Sequence, residues 1–242
     1  MLTEQQKNDI RKMSGKYTYR AIADKIGSSI YFVPKLVHEE KLPVNARHHQ
    51  ARSYDITERQ EQILLGGILG DGSFKKNGKN YYYRECHATP EAEYLKWKFE
   101  EFGEITTGRI HDIPRRVATQ NAQVGFQTRN SPSILPYVLM PRIEVIHKLK
   151  DLGLIVWMLD DGWCRHNCKK CCFGVSAAAF SQDEIGAILD KMNEYGLDGH
   201  TIGKKQDISL PSKNNKAIKE IAYRYFPKTM DIIKKKINPL IG

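Results

Sequence analysis

At 242 residues the chain is long enough for one sizeable core and a small appendage. Its 38 Lys and Arg against 28 Asp and Glu leave a formal charge of +10, spread as 10 basic against 6 acidic groups in residues 1–56, 14 against 11 in 57–150 and 14 against 11 in 151–242. An excess in every segment suits an extended polyanion and excludes a single charged tail. No apolar run nears the roughly 18 residues of a membrane span, and no secretory or organellar leader is readable, so a soluble protein of the cytoplasm or an organelle matrix, with no membrane contact, is expected.

Residues 3–13 read as a helix, Thr18 to Ile26 as a second and Ser29 to Glu40 as a third, with Ser28 or Ser29 available as N-cap and Gly27 in the turn between. Ala23, Gly27 and Val33 have the spacing of a helix-turn-helix: alanine permits close helix contact, glycine takes the turn and valine anchors the last helix. Ile22, Ile26, Ile30, Val33 and Val37 are expected to bury the shared face, leaving Ser29, Tyr31, Phe32 and Lys35 toward a major groove. A plain three-helix packing module is the alternative. Pro34 is tolerable if it falls in the first helical turn. Residues 1–42 thus form one expected all-α domain. Residues 43–56 lack hydrophobic periodicity and read as a linker, in which Arg47 and Arg52 are candidates for phosphate contact.

A long helix should then begin at Thr57, which forms a capping box with Gln60. It runs into the apolar string LLGGILGDG, Leu64 to Gly72, and ninety residues later LIVWMLDDG, Leu154 to Gly162, repeats the pattern. One such octet reads as a plain core helix. Two copies, each ending in Asp-Gly, place Asp71 and Asp161 at helix C-termini, where the macrodipole already carries partial negative charge. If the helices pack side by side the acids repel, and a shared divalent cation is the natural offset. Gly66 and Gly70, one turn apart, allow such packing; Val156 and Asp160 stand at those positions in the second copy.

After each motif the same order of elements follows. The first half, 57–150, continues with Ser73 to Glu85 as a hairpin turning at Asn77-Gly78, a helix from Glu91 to Phe102 closed by Gly103, strands around Ile105 to Ile110 and Gln123 to Thr128, and a short helix from Ser133. The second, 151–242, continues with Phe173 to Phe180, a helix from Gln182 to Tyr195 closed by Gly196, strands at His200 to Ile202 and Asp207 to Leu210, and a helix from Lys213 to Phe226. Both halves read αββαββα, with strands able to turn one face onto the helices and the other outward. The fold class is therefore α+β: a pseudo-symmetric pair plus the small all-α N-terminal domain. Candidate nucleic-acid contacts are Lys75, Lys76, Lys79, Tyr81, Tyr83, Arg84, Arg115 and Arg116 in the first half, and Arg165, Lys169, Lys170, Lys204 and Lys205 in the second. Cys164, His166, Cys168, Cys171 and Cys172 include a zinc-knuckle spacing; a tetrahedral zinc set of Cys164, Cys168, Cys171 and Cys172 is awkward within nine residues, and free thiols are the preferred reading.

The paired strings ILGDGSF and WMLDDGW resemble the two motifs of single-chain LAGLIDADG homing endonucleases, and the resemblance covers about Thr57 to Gly242. It implies a monomer whose two sheets form a saddle in the major groove of a double-stranded DNA target while the motif ends sit over the minor groove. It further implies a Mg²⁺- or Mn²⁺-dependent double-strand break with short 3′ overhangs. The carboxylates before glycine, Asp71 and Asp161, would hold the metal; Gly70 and Asp160 are adjacent candidates, and Arg129 and Lys204 are the positional counterparts of the family's basic residues. Met1 and the closing residues Pro239 to Gly242 lack the nucleophile and His-Asn pair of a protein-splicing element, so a free-standing or intron-encoded enzyme is expected. A non-catalytic transcription regulator and an intron RNA maturase are the alternatives on the same scaffold.

Overall fold

The computed structural model describes residues 2–43, 52–114, 122–165, 172–203 and 206–240, the side chain of Arg165 excepted. Two compact units result, Met1–Arg52 and Ser53–Gly242, meeting within the stretch that reads as a linker. No helix among the described residues is long and apolar enough to cross a membrane.

In the N-terminal unit, α1 (Glu4–Met13), α2 (Tyr19–Lys25) and α3 (Phe32–Glu39) close on a core of Ile10, Ile22, Ala23, Val33, Leu36 and Val37. Thr3 and Gln6 form a capping box on α1, and Thr18 caps α2. Gly27 takes a φ of 61° in the turn. The third helix starts later than expected, so Pro34 falls in its first turn, where no hydrogen bond is lost. That late start corrects one expectation: Ile30 precedes the helix and is 49% exposed instead of packing in the core. Ser29, Tyr31 and Lys35 are exposed.

In the larger unit, α4 (Glu58–Leu69) and α8 (Asp151–Asp161) pack along each other at the centre. The capping box of Thr57 and Gln60 starts α4. Buried Gln62 ties it to the start of α8, donating from Nε2 to the Lys148 carbonyl at 3.0 Å and accepting from the Lys150 N–H at 2.6 Å. Each helix supplies a glycine where the backbones meet, Gly66 from α4 and Gly153 from α8. A methyl at Gly66 would collide with the Gly153 carbonyl oxygen and stand 2.9 Å from Val156 Cβ. Backbone cannot yield as a side chain can. Gly66→Ala should therefore lose about 2 kcal/mol even after its better helix propensity, lowering Tm by about 4–8 °C in a thermal melt; an unchanged or raised Tm would show that the helices are not in close contact there.

Each motif helix leads into a four-stranded antiparallel sheet. The first, ordered β1-β2-β4-β3, contains β1 (Ser73–Asn77), β2 (Asn80–Ala88), β3 (His111–Ile113) and β4 (Gln123–Gln127); the second, ordered β5-β6-β8-β7, contains β5 (Gly162–Arg165), β6 (Cys172–Val175), β7 (His200–Ile202) and β8 (Asp207–Leu210). The β1-β2 register pairs Asn77 with Asn80, so Gly78 and Lys79 form the turn. Helices α5 (Ala92–Phe102) and α9 (Gln182–Glu194) end at Gly103 and Gly196, both at positive φ. The strand expected at Ile105 to Ile110 lies later, at β3, because a 3-10 turn follows Gly103 and only Thr106 bridges to Thr128. The first half closes with α6 (Leu135–Leu139) and α7 (Arg142–Lys148). The second closes with α10 (Asn215–Tyr225) and an unforeseen α11 (Asp231–Lys236). α11 returns to the first half, where Lys235 pairs with Glu91 at 2.8 Å and the Asp231 N–H donates to Glu93 at 3.1 Å.

Candidate functional site

The two motif helices deliver an acid at the same step. Gly70 is the C-cap of α4, and Asp71 follows with its side chain 41% exposed. Asp161 ends α8 and is half-buried. Burial and the charge of Asp160 push both acids up to about 6, so both share one like-charged neighbour. Gly70 leaves the space that Asp160 fills; a Cβ there would stand 2.5 Å from Asp160 Cβ.

Asp160 points inward. It accepts from Lys98 Nζ at 2.8 and 2.9 Å and from the Tyr94 hydroxyl at 2.9 Å. Lys98, on α5, is fully buried and also donates to Glu85 on β2. Burial opposes its charge, but Asp160 and Glu85 outweigh that and hold its pKa above the ordinary value. Burial likewise opposes Glu85, yet Lys98 and His87 bring it down to about 2. His87 Nε2 lies 2.6 Å from Glu85, and its Nδ1 lies 3.4 Å from both Glu91 and Asp71. Burial disfavours the imidazolium, but the hydrogen bonds to Glu85 and Glu91 prevail and push it up to about 10. At the end of α8, buried Lys236 donates to the carbonyls of Leu159 and Asp160. A lysine there offsets the negative end of the helix dipole.

Asp71, His87 and Asp160 each offer one ligand atom within 4.8 Å of the others, the one such group of His, Cys, Asp or Glu among the described residues. A metal ion could be held at this end of the helix pair. Asp160, a candidate metal neighbour in the sequence, thus belongs to this group and also accepts from Lys98 and Tyr94. His87, Glu85 and Lys98 are absent from the sequence-derived site. Their signal is polar residues at core positions: Glu85 and His87 alternate on the inward face of β2, and Lys98 shares the apolar side of α5 with Tyr94, Leu95 and Phe102.

The profile of the LAGLIDADG DNA endonuclease family matches residues 61–218, which hold both motif helices and both sheets. The chain is a member of the LAGLIDADG DNA endonuclease family. Among solved structures, the homing endonuclease I-WcaI bound to its DNA recognition sequence shares the fold, with a TM-score of 0.63 at 20% identity over 81% of this chain and 90% of that one. The N-terminal LAGLIDADG domain of WhiA gives 0.45 at 11% identity over 73% and 86%. Among curated proteins, Protein RecA from Mycolicibacterium flavescens is 26% identical over 121 residues and Protein RecA from Mycobacterium shimoidei is 24% identical over 133, covering 44% and 46% of this chain. The chain spans about a quarter of the length of these relatives, 26% and 28%.

In this LAGLIDADG protein the strand register sorts the candidate DNA contacts. Lys75 pairs with Tyr82 and Ser73 with Arg84, so Lys75, Tyr82 and Arg84 share the outward face of the first sheet. Among the described residues the Arg84 Nε makes no hydrogen bond. Tyr83, expected on that face, is a correction: alternation turns it inward, where it is fully buried and its hydroxyl donates to Glu85. Tyr81 shares the inward phase at the strand end and is half-buried, so Tyr82 takes the place expected for these two. Lys76, Tyr82, Gln127, Arg129 and Asn130 line an open groove of about 590 Å³, and Lys79 is exposed at the hairpin turn. Arg129 sits there with its Nε donating to the Glu104 carbonyl at 3.1 Å.

Arg47, Arg115, Arg116, Lys169, Lys170, Lys204, Lys205, His166, Cys168, Cys171 and the side chain of Arg165 lie outside the described residues; Arg52 lies within them. Cys164 pairs with Phe173 on the inward face of the second sheet and packs against the core, whereas Cys172, one step along β6, takes the opposite face. Of the four cysteines of the less favoured zinc set, the two described ones thus lie on opposite faces of the paired hairpin.

Proposed function

We propose that this chain is a sequence-specific DNA endonuclease that makes a metal-dependent double-strand break with short 3′ overhangs, acting as a monomer, with Asp71 and Asp161 each serving one strand. The observation that carries this reading is the equivalent placement of the two acids at adjoining helix ends, both lifted to about 6 by burial and a shared like charge. A hard divalent cation such as Mg²⁺ or Mn²⁺ suits oxygen donors of this kind. When bound, it supplies charge neutralisation at the scissile phosphate and acidifies the attacking water. The chain's own part is orientation. Gln62 and the Gly66-Gly153 contact fix the helix ends, while Lys98 and Lys236 hold the Asp160 side chain and the α8 carbonyls still.

The outward sheet faces suit a duplex. Lys75, Tyr82 and Arg84 combine positive charge with aromatic surface on the outward face of the first sheet, and Lys76 lines the groove beside it. Arg129 and Lys204 remain the proposed basic partners of the two acids, with Arg115, Arg116, Arg165, Lys169, Lys170 and Lys205 as further proposed DNA contacts. The N-terminal unit is proposed to add contacts through Ser29, Tyr31 and Lys35 in helix-turn-helix fashion, supported by their exposure and the turn at Gly27. Arg47 and Arg52 would touch phosphate beside it.

The reading is tested by exposing a randomised duplex library to the protein with Mg²⁺ and with chelator. Specific cutting with Mg²⁺ supports it; specific binding with no cutting in either Mg²⁺ or Mn²⁺ would favour a regulator. Cation affinity should fall as pH drops through about 6, where both acids take up protons, and cleavage should follow. A pH-rate profile flat from 5 to 8 would contradict that assignment.

A further inference from the structure

The two sheets match in backbone but not in what they present outward. Ser73 and Trp163 each come two residues after a motif acid, and each begins a row across its sheet. In the first sheet the row runs from Ser73 to Arg84 and on to Gln127; in the second it runs from Trp163 to Gly174, Ser209 and His200. Residues paired across a ladder share a face. Tyr83, Phe126, Phe173 and Leu210, each one step along its strand from a row member, are fully buried, so both rows face outward. Their chemistry differs. Arg84 and Gln127 offer several hydrogen-bonding groups, and Gln127 opens into the groove that Tyr82 and Asn130 also line. In the second sheet a glycine stands where Arg84 does, and the Trp163 indole takes the room: a Cβ at Gly174 would stand 2.5 Å from Trp163 Cζ2. Cys172, Ile202 and Ser209 line a shallow hollow with the ring.

We propose that these rows read the two half-sites by unlike chemistry: Arg84 and Gln127 select a guanine and a nearby adenine in one, and Trp163 selects a thymine in the other through its methyl group. This rests on the reading of the chain as a sequence-specific DNA endonuclease. A guanidinium matches the O6 and N7 acceptors of guanine, and a glutamine amide matches the N6 donor and N7 acceptor of adenine. Neighbouring strands lie about 4.8 Å apart and base pairs about 3.4 Å, so side chains paired across the ladder reach base pairs one or two steps apart. An indole held flat on a glycine has little hydrogen-bonding capacity but a broad apolar face, and in the major groove the thymine methyl is the apolar group it can meet.

The test is a binding selection from a randomised duplex library by the full chain in Ca²⁺, with the retained duplexes sequenced. Arg84→Ala should relax a guanine and Gln127→Ala an adenine one or two base pairs from it, each preference falling about tenfold. Arg84→Lys keeps the charge but loses the paired donors, and should relax the guanine as Arg84→Ala does. Trp163→Ser should relax a thymine in the opposite half-site. Replacing that thymine with deoxyuridine removes only the methyl; it should weaken binding by the unsubstituted chain about fourfold and by Trp163→Ser not at all. Preferences at all other positions should persist in every variant, which also shows that each one folds. A uniform loss of affinity across positions, an unchanged guanine or adenine preference, or tolerance of deoxyuridine by the unsubstituted chain would overturn the unlike readout and leave the nuclease reading intact. Failure of the unsubstituted chain to enrich any sequence would overturn both.

Discussion

Lys98→Met is expected to cost about 3–5 kcal/mol, a Tm loss of about 6–20 °C in a unit of this size, because it strands two buried carboxylates. Asp160 would retain only Tyr94, and Glu85 only His87 and Tyr83, in a site with no access to water. The pH dependence separates this cause from lost packing. Stranded carboxylates relieve themselves by binding protons, so the deficit against the unsubstituted protein should shrink as pH falls from 8 to 5. A deficit of under about 1 kcal/mol, or one that grows on acidification, would mean that Lys98 contributes mainly its methylenes.

Asp71→Asn should slow cleavage of one strand by about 10³-fold, since a charge-neutralising contact at the reacting phosphate is worth several kcal/mol. The same change should stabilise the metal-free protein at pH 8. The folded-state pKa near 6 lies above the ordinary 3.8, so the native chain holds the Asp71 proton more tightly than the unfolded chain does. That contribution is complete below 3.8 and is lost as pH rises through about 6, leaving a charged acid that opposes folding. With the side chain 41% exposed, solvent screening reduces the gain from asparagine to about 1 kcal/mol, or about 2–4 °C in Tm. At pH 4 the gain should vanish. A variant that loses both activity and stability at pH 8 would indicate that Asp71 is a structural residue.

Much of the architecture can be read from local signals in the chain. The capping box at Thr57, the glycines that close α5 and α9, and the repeated Asp-Gly motif each act within a few residues, and the structure carries all of them. The strand after Gly103 escaped such reading because the 3-10 turn that displaces it has no distinct composition. Tyr83 is a candidate contact that strand alternation alone rules out, because adjacent residues of a strand cannot share a face and Arg84 holds the outer one. The buried network is harder to see. Glu85, Lys98 and Asp160 come from a strand and two helices, and only tertiary packing brings them within hydrogen-bond reach. Even so, a histidine and a glutamate alternating on the apolar face of one strand are a legible sign that a core is built around charge.

The central claim is that Asp71 and Asp161 each serve one strand of a DNA duplex. It is tested most directly by digesting a cognate duplex, labelled separately on each strand, with the unsubstituted chain, Asp71→Asn and Asp161→Asn in Mg²⁺. The account predicts breaks in both strands from the first, nicks confined to opposite strands from the two variants, and no cutting by the double variant. Full double-strand cleavage by either single variant would contradict it.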